Sequence, residues 1–536
     1  MNRVERFLSI ISIAVIASVV GASVTVLVER DERTLLHVTT IDVETGEPTP
    51  VRVKLTDSQG YAAGLPEQAI GIMYGMWDHA DGFAYQPDSS FYVDGMFEIT
   101  LDPGTYVVSI SKGNEFMEIR DTLNVEANTA REYRLERWIN TAETGWYSAD
   151  DHIHIRRSPR ENPLLLDWIQ AEDIRVGNTL RMGDFWAKYY SQYAFGAEGA
   201  YREGDFMLVS GQEDPRTPEI GHLIGLGASQ FVRFPNRYYL YDLVLDSLHA
   251  LGGIGGYAHQ AETFHGYRGL TLDGLHGKVD MLEVVQFCAP GGPLITDHYY
   301  YLLNLGFPVT ATAGSDFPWC GLPHDGSGEI PVHENARIGN ARFYAHVDGE
   351  LTYDSWMDAV RAGRTFASSG PVLLFEVNGR MPGSSVDLTA GADIRITATA
   401  YGHDQQVPLS TLEVIRHGEV ITSVASGDEG QSPQRMVIEL DLIAGKGMWI
   451  AARAAAGPMQ VAHTTPVYVM VDGDGFHSDV ALDSLLGRSE EYLLDLEHIL
   501  SEPHDHVEHQ AWRYREGLMQ RIDSTRSVIE RMRRRE

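Results

Sequence analysis

The sequence predicts a multidomain protein of the α/β plus β class, with a central α/β region between two regions of β-strands. Its 536 residues are enough for three or four domains. Residues 140–370 alternate short apolar runs with helical stretches, which predicts a parallel sheet or a distorted α/β barrel. The predicted helices include residues 164–175, 241–251, 298–305 and 353–362, and the predicted strands include residues 206–210, 254–258, 281–286 and 309–313. Residues 34–137 and 371–474 instead show the strand patterns and turn signals of two β-sandwiches.

The N-terminal segment has the pattern of a membrane anchor. Arg3 and Arg6 precede an apolar stretch, Phe7–Val28, that contains no charged residue. As a helix it would span roughly 33 Å, enough for the hydrocarbon core of a bilayer. A signal peptide has a shorter apolar region, of about 7–15 residues. We therefore interpret residues 1–33 as a signal anchor in preference to a cleaved signal peptide.

Both interpretations of the N-terminus predict export. The remainder of the chain would lie on the periplasmic or extracellular side, anchored to the membrane by residues 7–28. The two end regions also have local signatures. The segment LDPGTYVVSISKG, residues 101–113, resembles the carboxypeptidase-regulatory-like sandwich. Residues 475–536 are charged and helical, and we expect them to form a helical tail.

Composition excludes several classes of protein. Lys and Arg number 42 against 75 Asp and Glu, which gives a formal net charge of −33. Phosphate binding needs a basic face, so nucleic acid is not an expected partner. The two cysteines, Cys288 and Cys320, exclude a disulfide scaffold and a four-cysteine zinc module. They could pair with each other or remain free, and the oligomeric state stays open.

The central region carries a set of residues suited to metal binding. His152 and His154 stand two apart in a predicted strand, so their side chains should point the same way. Further acidic and histidine residues lie at or just beyond predicted strands, where active sites of α/β sheets form. These residues are Asp184, Glu213, His222, His259 and Asp316. Imidazole and carboxylate together suit Zn²⁺, Mn²⁺ or Fe²⁺. A second pair, His504 and His506, lies in the polar tail, and we interpret it as solvated.

The order of these pieces resembles a known family. The segments DDHIHI, RMGD, GQE, GHLIGLG, GGYAHQ and TAGSDFP, with GRTFASSGPVLLFEVNG and AHTTPVYVMVDG further on, are similar to PHP (polymerase and histidinol phosphatase) metallohydrolases. The closer likeness is to the carbaryl-hydrolase branch, CehA/McbA, over roughly residues 145–475. The resemblance implies a distorted (β/α)7 barrel that holds one to three metal ions between the two sandwiches.

The resemblance assigns the metal ligands one position at a time. By this likeness the ligands are His152, His154, Asp184, Glu213, His222, His259 and Asp316, with Glu213 as the bridge between two ions. Phe185 and Pro318 stand where the family has two further histidines, and neither can coordinate through its side chain. We therefore expect one or two ions rather than three.

These expectations define a function and its rivals. We expect a hydrolase in which metal-activated water cleaves a carbamate, amide or ester of a small molecule. Asp184 or Asp316 could accept the proton. The first alternative is a phosphoesterase, which the wider family supports. The second is a non-catalytic cell-surface scaffold with a degenerate barrel, and the substitutions at Phe185 and Pro318 are its best support.

Overall fold

The computed structural model describes residues 33–73, 82–83, 88–288, 292–318, 337–501 and 509–534. The predicted anchor, residues 7–28, lies outside the described residues, and so do Cys320, His504 and His506. Across the described ranges, no helix combines the length and the apolar character that a membrane crossing requires.

The N-terminal region is built from two facing sheets. One has the strand order β6–β1–β9 and the other β5–β2–β7–β8, with a separate β3–β4 hairpin. Buried and half-buried residues alternate along β1, because successive side chains of a strand point to opposite faces. The strands are β1 (Thr34–Asp42), β2 (Pro50–Asp57), β3 (Ile72–Met73), β4 (Gly82–Phe83), β5 (Phe91–Asp94), β6 (Met96–Leu101), β7 (Gly104–Ser111), β8 (Ile119–Val125) and β9 (Thr129–Leu135).

The central region alternates strands and helices over part of its length. The helices that the sequence predicts at residues 164–175, 241–251, 298–305 and 353–362 are each confirmed within a few residues. The elements are β10 (Trp146–Ile153), α1 (Asn162–Ala171), β11 (Val176–Gly183), β12 (Lys188–Tyr189), β13 (Tyr201–Glu203), β14 (Phe206–Thr217), β15 (Gly221–Leu226), α2 (Tyr241–Ala250), β16 (Ile254–Tyr257), α3 (Gly266–Gly274), β17 (Met281–Val285), α4 (Asp297–Asn304), β18 (Thr310–Ala313), β19 (Arg342–His346), α5 (Tyr353–Arg361) and β20 (Thr365–Ser368).

The C-terminal region returns to strands and ends in two helices. Its elements are β21 (Val372–Val377), β22 (Ser385–Leu388), β23 (Asp393–Tyr401), β24 (Thr411–Arg416), β25 (Glu419–Ala425), β26 (Arg435–Ile443), β27 (Met448–Ala455), β28 (Val461–Thr464), β29 (Val467–Val471), α6 (Leu482–Ser501) and α7 (Arg515–Arg534). The two helices are not a loose tail, because Leu486, Leu493 and Ile522 are fully buried and pack into the central core.

A single curled sheet joins the central and C-terminal regions. The pairs β10–β11 and β11–β14 are parallel, as are β16–β17 and β17–β18. The curl brings the chain after β18 back to β10, where Ile153 and Phe317 form an isolated bridge. On its other side β10 pairs with β19, β19 with β20, and β20 with β28. The sheet therefore runs without a break from the central strands into the C-terminal ones.

The expectation of a (β/α)7 barrel is wrong. That fold needs seven parallel strands, each followed by a helix, whereas β15 runs antiparallel to both β14 and β16. Only three residues, 218–220, connect β14 to β15. A parallel crossover needs a dozen or more residues, so this connection can only form a hairpin. The described part of the chain has seven α-helices in all, and five of them fall between β10 and β20.

Candidate metal centre

Two histidines of the first central strand face one point. His152 lies on β10 and His154 lies just past its end, and both side chains are fully buried. Their Nε2 atoms are 3.1 Å apart, which confirms that the two rings share one side of the strand. A neutral imidazole presents a lone pair on one of its nitrogens, so two nitrogens at this distance suit a shared cation.

Asp316 completes a compact triangle with these histidines. It follows β18, and its Oδ1 lies 3.3 Å from His152 Nε2 and 3.1 Å from His154 Nε2. Its Oδ2 lies 3.0 Å from Nε2 of His259. Asp316 and His259 have φ angles of 51° and 53°, in the left-handed region. Such backbone costs on the order of 1–3 kcal/mol and is concentrated at functional sites.

The β14–β15 hairpin contributes Glu213 and His222. Glu213 is almost fully buried, and its Oε2 lies 3.3 Å from His154 Nε2 and 3.9 Å from His152 Nε2. Its Oε1 lies 2.8 Å from Nδ1 of His222, near the start of β15. Among the described residues, neither oxygen of Glu213 accepts a well-aligned hydrogen bond. A buried carboxylate is destabilising unless positive charge lies beside it, and Arg216 supplies part of that charge with its Nε 2.8 Å from Oε2.

Four ligand atoms lie close together around the two histidines. They are Nε2 of His152, Nε2 of His154, Oε2 of Glu213 and Oδ1 of Asp316. Five distances between them run from 3.1 to 3.9 Å. Zn²⁺ binds nitrogen and oxygen at about 2.0–2.2 Å, which sets tetrahedral ligands about 3.3–3.6 Å apart. The donor set and its spacing therefore match a divalent transition metal.

The structure brings six of the seven predicted ligands into three overlapping groups that could hold a metal ion. Each group consists of buried residues whose ligand atoms lie within 4.8 Å of one another. Any two of the groups have one residue in common, which is His152, Glu213 or His259, so the three groups form one continuous centre. They are His152, His259 and Asp316; His152, His154 and Glu213; and Glu213, His222 and His259.

Two buried carboxylates support the centre from outside. Glu283 on β17 lies 2.9 Å from Nδ1 of His152, and its other oxygen accepts a hydrogen bond from the backbone of His259. A carboxylate on the far nitrogen fixes the tautomer and orientation of a ligating histidine. Asp150 accepts backbone hydrogen bonds from His152, Ser315 and Gly339. It thereby fixes the segment before Asp316 against β10.

The electrostatics of the centre keep two of its ligands, Glu213 and His222, in the deprotonated form that binds metal. Burial alone would raise the pKa of Glu213. The nearby Arg216 and His222 have the opposite and larger effect, so the pKa of this carboxyl lies well below its usual range. Burial and the charge of Arg216 lower the pKa of His222 to about 3. Metal ligands must be deprotonated, and both groups meet that condition at neutral pH.

Asp184 lies apart from this centre. Its Oδ1 accepts hydrogen bonds from the backbone of Trp186 and Ala187, and its Oδ2 accepts one from the hydroxyl of Tyr189. These contacts organise the turn between β11 and β12. None of the three groups found in the described chain includes Asp184.

The two positions that lack a ligand histidine have different surroundings. Phe185 packs against aromatic rings, with centroids 4.6 Å from Trp186 and 5.8 Å from Tyr238. Pro318 follows a cis peptide bond after Phe317.

Cys288 also lies close to the centre. It takes part in a disulfide, and its Sγ lies 3.3 Å from Asp316 Oδ2.

Sequence reasoning missed three residues at the centre. Glu283 stands alone as a charge within the buried strand MLEVV, which is a usable signal. Arg216 follows Glu213 by three residues, and its Nε lies 2.8 Å from Glu213 Oε2. Phe264 stacks on His222, with ring centroids 4.2 Å apart, although its side chain is 45% exposed. No spacing rule identifies the last two, because their positions depend on the hairpin and the loop after β16.

Comparisons with known proteins add little. No family model matches the chain, and no curated protein matches it. Among solved structures, the chain is similar to the sulfur carrier protein SoxY from Chlorobium limicola f thiosulfatophilum. The match covers 18% of this chain and 78% of SoxY, with 12% sequence identity and a TM-score of 0.14. The chain is also similar over 18% to fibronectin(III)-like modules of Clostridium thermocellum CbhA, covering 94% of that chain at 19% identity with a TM-score of 0.13. Likenesses this weak do not bear on its fold or its function.

Proposed function

We propose that this chain is a metal-dependent hydrolase that cleaves a carbamate, amide or ester bond of a small molecule. The observation that carries the proposal is the convergence of ligand atoms from His152, His154, Glu213 and Asp316, with five distances of 3.1–3.9 Å between them. All four side chains are nearly or fully buried. We propose Zn²⁺, Mn²⁺ or Fe²⁺ as the ion, because these metals accept mixed imidazole and carboxylate ligands.

The chain's own residues prepare the centre for hydrolysis. When bound, a divalent ion lowers the pKa of a water molecule to about 7 and polarises the oxygen of the bond under attack. Glu283 holds His152 with its Nε2 directed to the ligand cluster. Asp316 directs one oxygen to His152 and His154 and the other to His259, and it is the proposed proton acceptor.

The surroundings of the centre favour an uncharged substrate. Phe264 stands over His222 with its ring nearly parallel, at an interplanar angle of 15°, and nearly half of its side chain faces solvent. An exposed aromatic face beside the ligands suits an apolar or aryl group. The net charge of −33 opposes the approach of phosphate anions. Carbonyl substrates therefore rank above phosphate esters in the proposal.

The proposed location is outside the cytoplasm, with the protein held to the membrane by residues 7–28. The uncharged stretch at Phe7–Val28 supports this proposal. Fractionation of cells that express the full chain should recover it with the membranes, with its N-terminus intact. A soluble species that begins near Ser23 would contradict anchoring but would leave export in place.

Metal analysis and a substrate panel test the function together. Purified protein should carry about one to two equivalents of a transition metal, and chelation should abolish its hydrolysis of chromogenic esters or carbamates. His152→Ala and Asp316→Ala should lose metal. His463→Ala is the matched control, because His463 is equally buried but lies outside the centre.

Three outcomes would redirect the proposal. If the two variants retain full metal content, the assigned centre is wrong. If phosphate esters are turned over far faster than carbonyl substrates, the protein is a phosphoesterase. If metal is bound but no substrate of the panel is cleaved, the non-catalytic scaffold becomes the better explanation.

A further inference from the structure

An arginine lies inside the ligand cluster. Arg216 is on β14, three residues after Glu213, and its Nε lies 2.8 Å from Glu213 Oε2. The same Nε–H donates a hydrogen bond to Nδ1 of His222, at 3.3 Å. Only 21% of its side chain is exposed. A fixed positive charge therefore contacts two of the three residues in the group Glu213, His222 and His259.

This contact occupies the nitrogen of His222 that faces Glu213. Nδ1 is the nitrogen of His222 that faces Glu213, at 2.8 Å from Oε1. A neutral imidazole has one lone pair, on the nitrogen that carries no proton. With Glu213 Oε1 at 2.8 Å and Arg216 Nε at 3.3 Å, Nδ1 of His222 already has two partners and is not available to an ion between Glu213 and His222. A divalent cation beside the guanidinium would also meet a like charge.

The other two groups together provide for a single ion. Both include His152, and its Nδ1 is engaged by Glu283 at 2.9 Å. Only Nε2 of His152 then remains as a ligand, and one nitrogen lone pair serves one ion. His154 Nε2 and Asp316 Oδ1 are the nearest ligand atoms to it, at 3.1 and 3.3 Å. They define one position rather than two.

We propose that the guanidinium of Arg216 takes the place of a second metal ion, so that the centre holds one divalent ion. The inference rests on the proposed metal-dependent function. It reduces the expected metal content from one or two ions per chain to one. Arg216 neutralises part of the charge of Glu213 through Oε2, the oxygen that also lies 3.3 Å from His154 Nε2, and a single bound ion would supply the remaining positive charge. Arg216 is thus a positioning residue that sets the metal content of the site.

Metal stoichiometry tests this inference without any assay of activity. The full-length wild-type protein is loaded with Mn²⁺ and desalted, its metal is counted by mass spectrometry, and its spin state is examined by electron paramagnetic resonance. The wild type should hold one ion and give the signal of an isolated Mn²⁺. Arg216→Met removes the charge at similar length. This variant should hold two ions per chain and give an exchange-coupled pair.

Two further variants separate charge from folding. Arg216→Lys keeps a cation and should remain at one ion. Arg233→Met is the matched control, because Arg233 is an arginine paired with Asp214, which belongs to none of the three groups, and it should also remain at one. Circular dichroism reports whether each variant folds.

The outcomes distinguish the inference from the function on which it rests. Wild-type protein that binds two Mn²⁺ ions as a coupled pair overturns the role of Arg216 and leaves the metal centre standing, even if Arg216→Met does not fold. A folded Arg216→Met variant that still binds one ion also overturns it. Wild-type protein that binds no ion overturns the proposed function, and the inference with it.

Discussion

Two buried clusters of charged residues in this molecule satisfy their charges in different ways. At the contact between the N-terminal sheets and the central region, Arg137 donates two hydrogen bonds to Asp173, at 2.6 and 2.8 Å. Arg52 and the hydroxyl of Tyr92 both donate to Glu172. Each of these two carboxylates has a cation of the chain beside it. We refer to this set as the junction cluster.

The candidate metal centre pairs its charges less completely, because arginine contacts Glu213 but not Asp316 among the described residues. Its residues turn histidine nitrogens toward one another and toward carboxylate oxygens, and Glu213 accepts no well-aligned hydrogen bond from a described residue. Within the part of the chain that the structure describes, only Arg216 brings a permanent positive charge into direct contact with these ligands. The comparison teaches that burial of charge alone does not indicate a metal. The informative feature is a set of ligand atoms that converge without the donors to satisfy them.

The largest expected effect comes from breaking the junction cluster. Arg137→Ala leaves Asp173 and Glu115 buried without their main cation, so it should lower the free energy of unfolding by about 3–5 kcal/mol. Urea denaturation measures the change, and metal content should stay the same. Arg134→Ala is the control: its pair with Glu132 is exposed and contributes about 0–1 kcal/mol. A small effect of Arg137→Ala would mean that the junction cluster is not a structural one.

The support given by Glu283 offers the next test. Glu283→Gln removes the charge that fixes the tautomer of His152, and it should weaken metal affinity by about 10–100-fold. Competition with a chromogenic chelator measures the affinity. Glu98→Gln, which alters a carboxylate–histidine pair far from the centre, should leave it unchanged. If affinity is retained in Glu283→Gln, His152 does not depend on this carboxylate as a ligand.

A buried histidine outside both clusters, His463, should make the stability of the protein depend on pH. His463 has partners on both nitrogens, Tyr300 at 2.7 Å and the carbonyl of Thr464 at 2.8 Å, and burial lowers its pKa to about 4. His463 therefore binds a proton near pH 6.5 in the unfolded chain but only near pH 4 in the folded chain. The free energy of unfolding accordingly decreases as the pH falls from about 6.5 to about 4. From pH 7 to 5 the loss should be about 2 kcal/mol.

Chemical denaturation at the two pH values measures that loss. His463→Gln should be less stable overall but should lack this part of the pH dependence, because its amide does not titrate. Equal pH dependence in the wild type and the variant would show that His463 does not titrate as its burial requires.

The smallest effect is expected at Asp184. Asp184→Ala should lower stability by about 1 kcal/mol, because the turn after β11 loses its hydrogen bonds. Metal content should not change, since Asp184 is in none of the three groups of the described chain. Loss of metal in this variant would instead support the sequence-based assignment of Asp184 as a ligand.

Asp184 also shows how far the sequence could predict the site. His152, His154, Glu213, His222, His259 and Asp316 lie on or near strands of the central sheet, and that placement was enough to group them. Asp184 follows β11 in the same way, but its side chain turns back to bind its own turn. The end of a strand can be read from apolar patterning, whereas the direction of the side chain beyond it depends on the local turn.

The fold was predictable element by element but not in its connectivity. Four central helices and the strands beside them were predicted near their observed positions. The barrel was wrong because the three-residue connection after Thr217 forces a hairpin, and the apolar pattern of the sequence does not show that β14 runs on as far as Thr217. Arg216 depends on that hairpin too, since the chain reverses within a few residues and places His222 opposite it.

The unbroken sheet limits how the chain can be shortened. Phe366, Ala367 and Ser368 of β20 pair with residues of β28, about a hundred positions later. A version that ended near residue 370 would leave β20 with an open row of backbone donors and acceptors, which is a template for aggregation. Within the described residues, the strands of the N-terminal sheets pair only with one another. Expression of fragments should therefore succeed more readily with a cut near residue 138 than with one near residue 370.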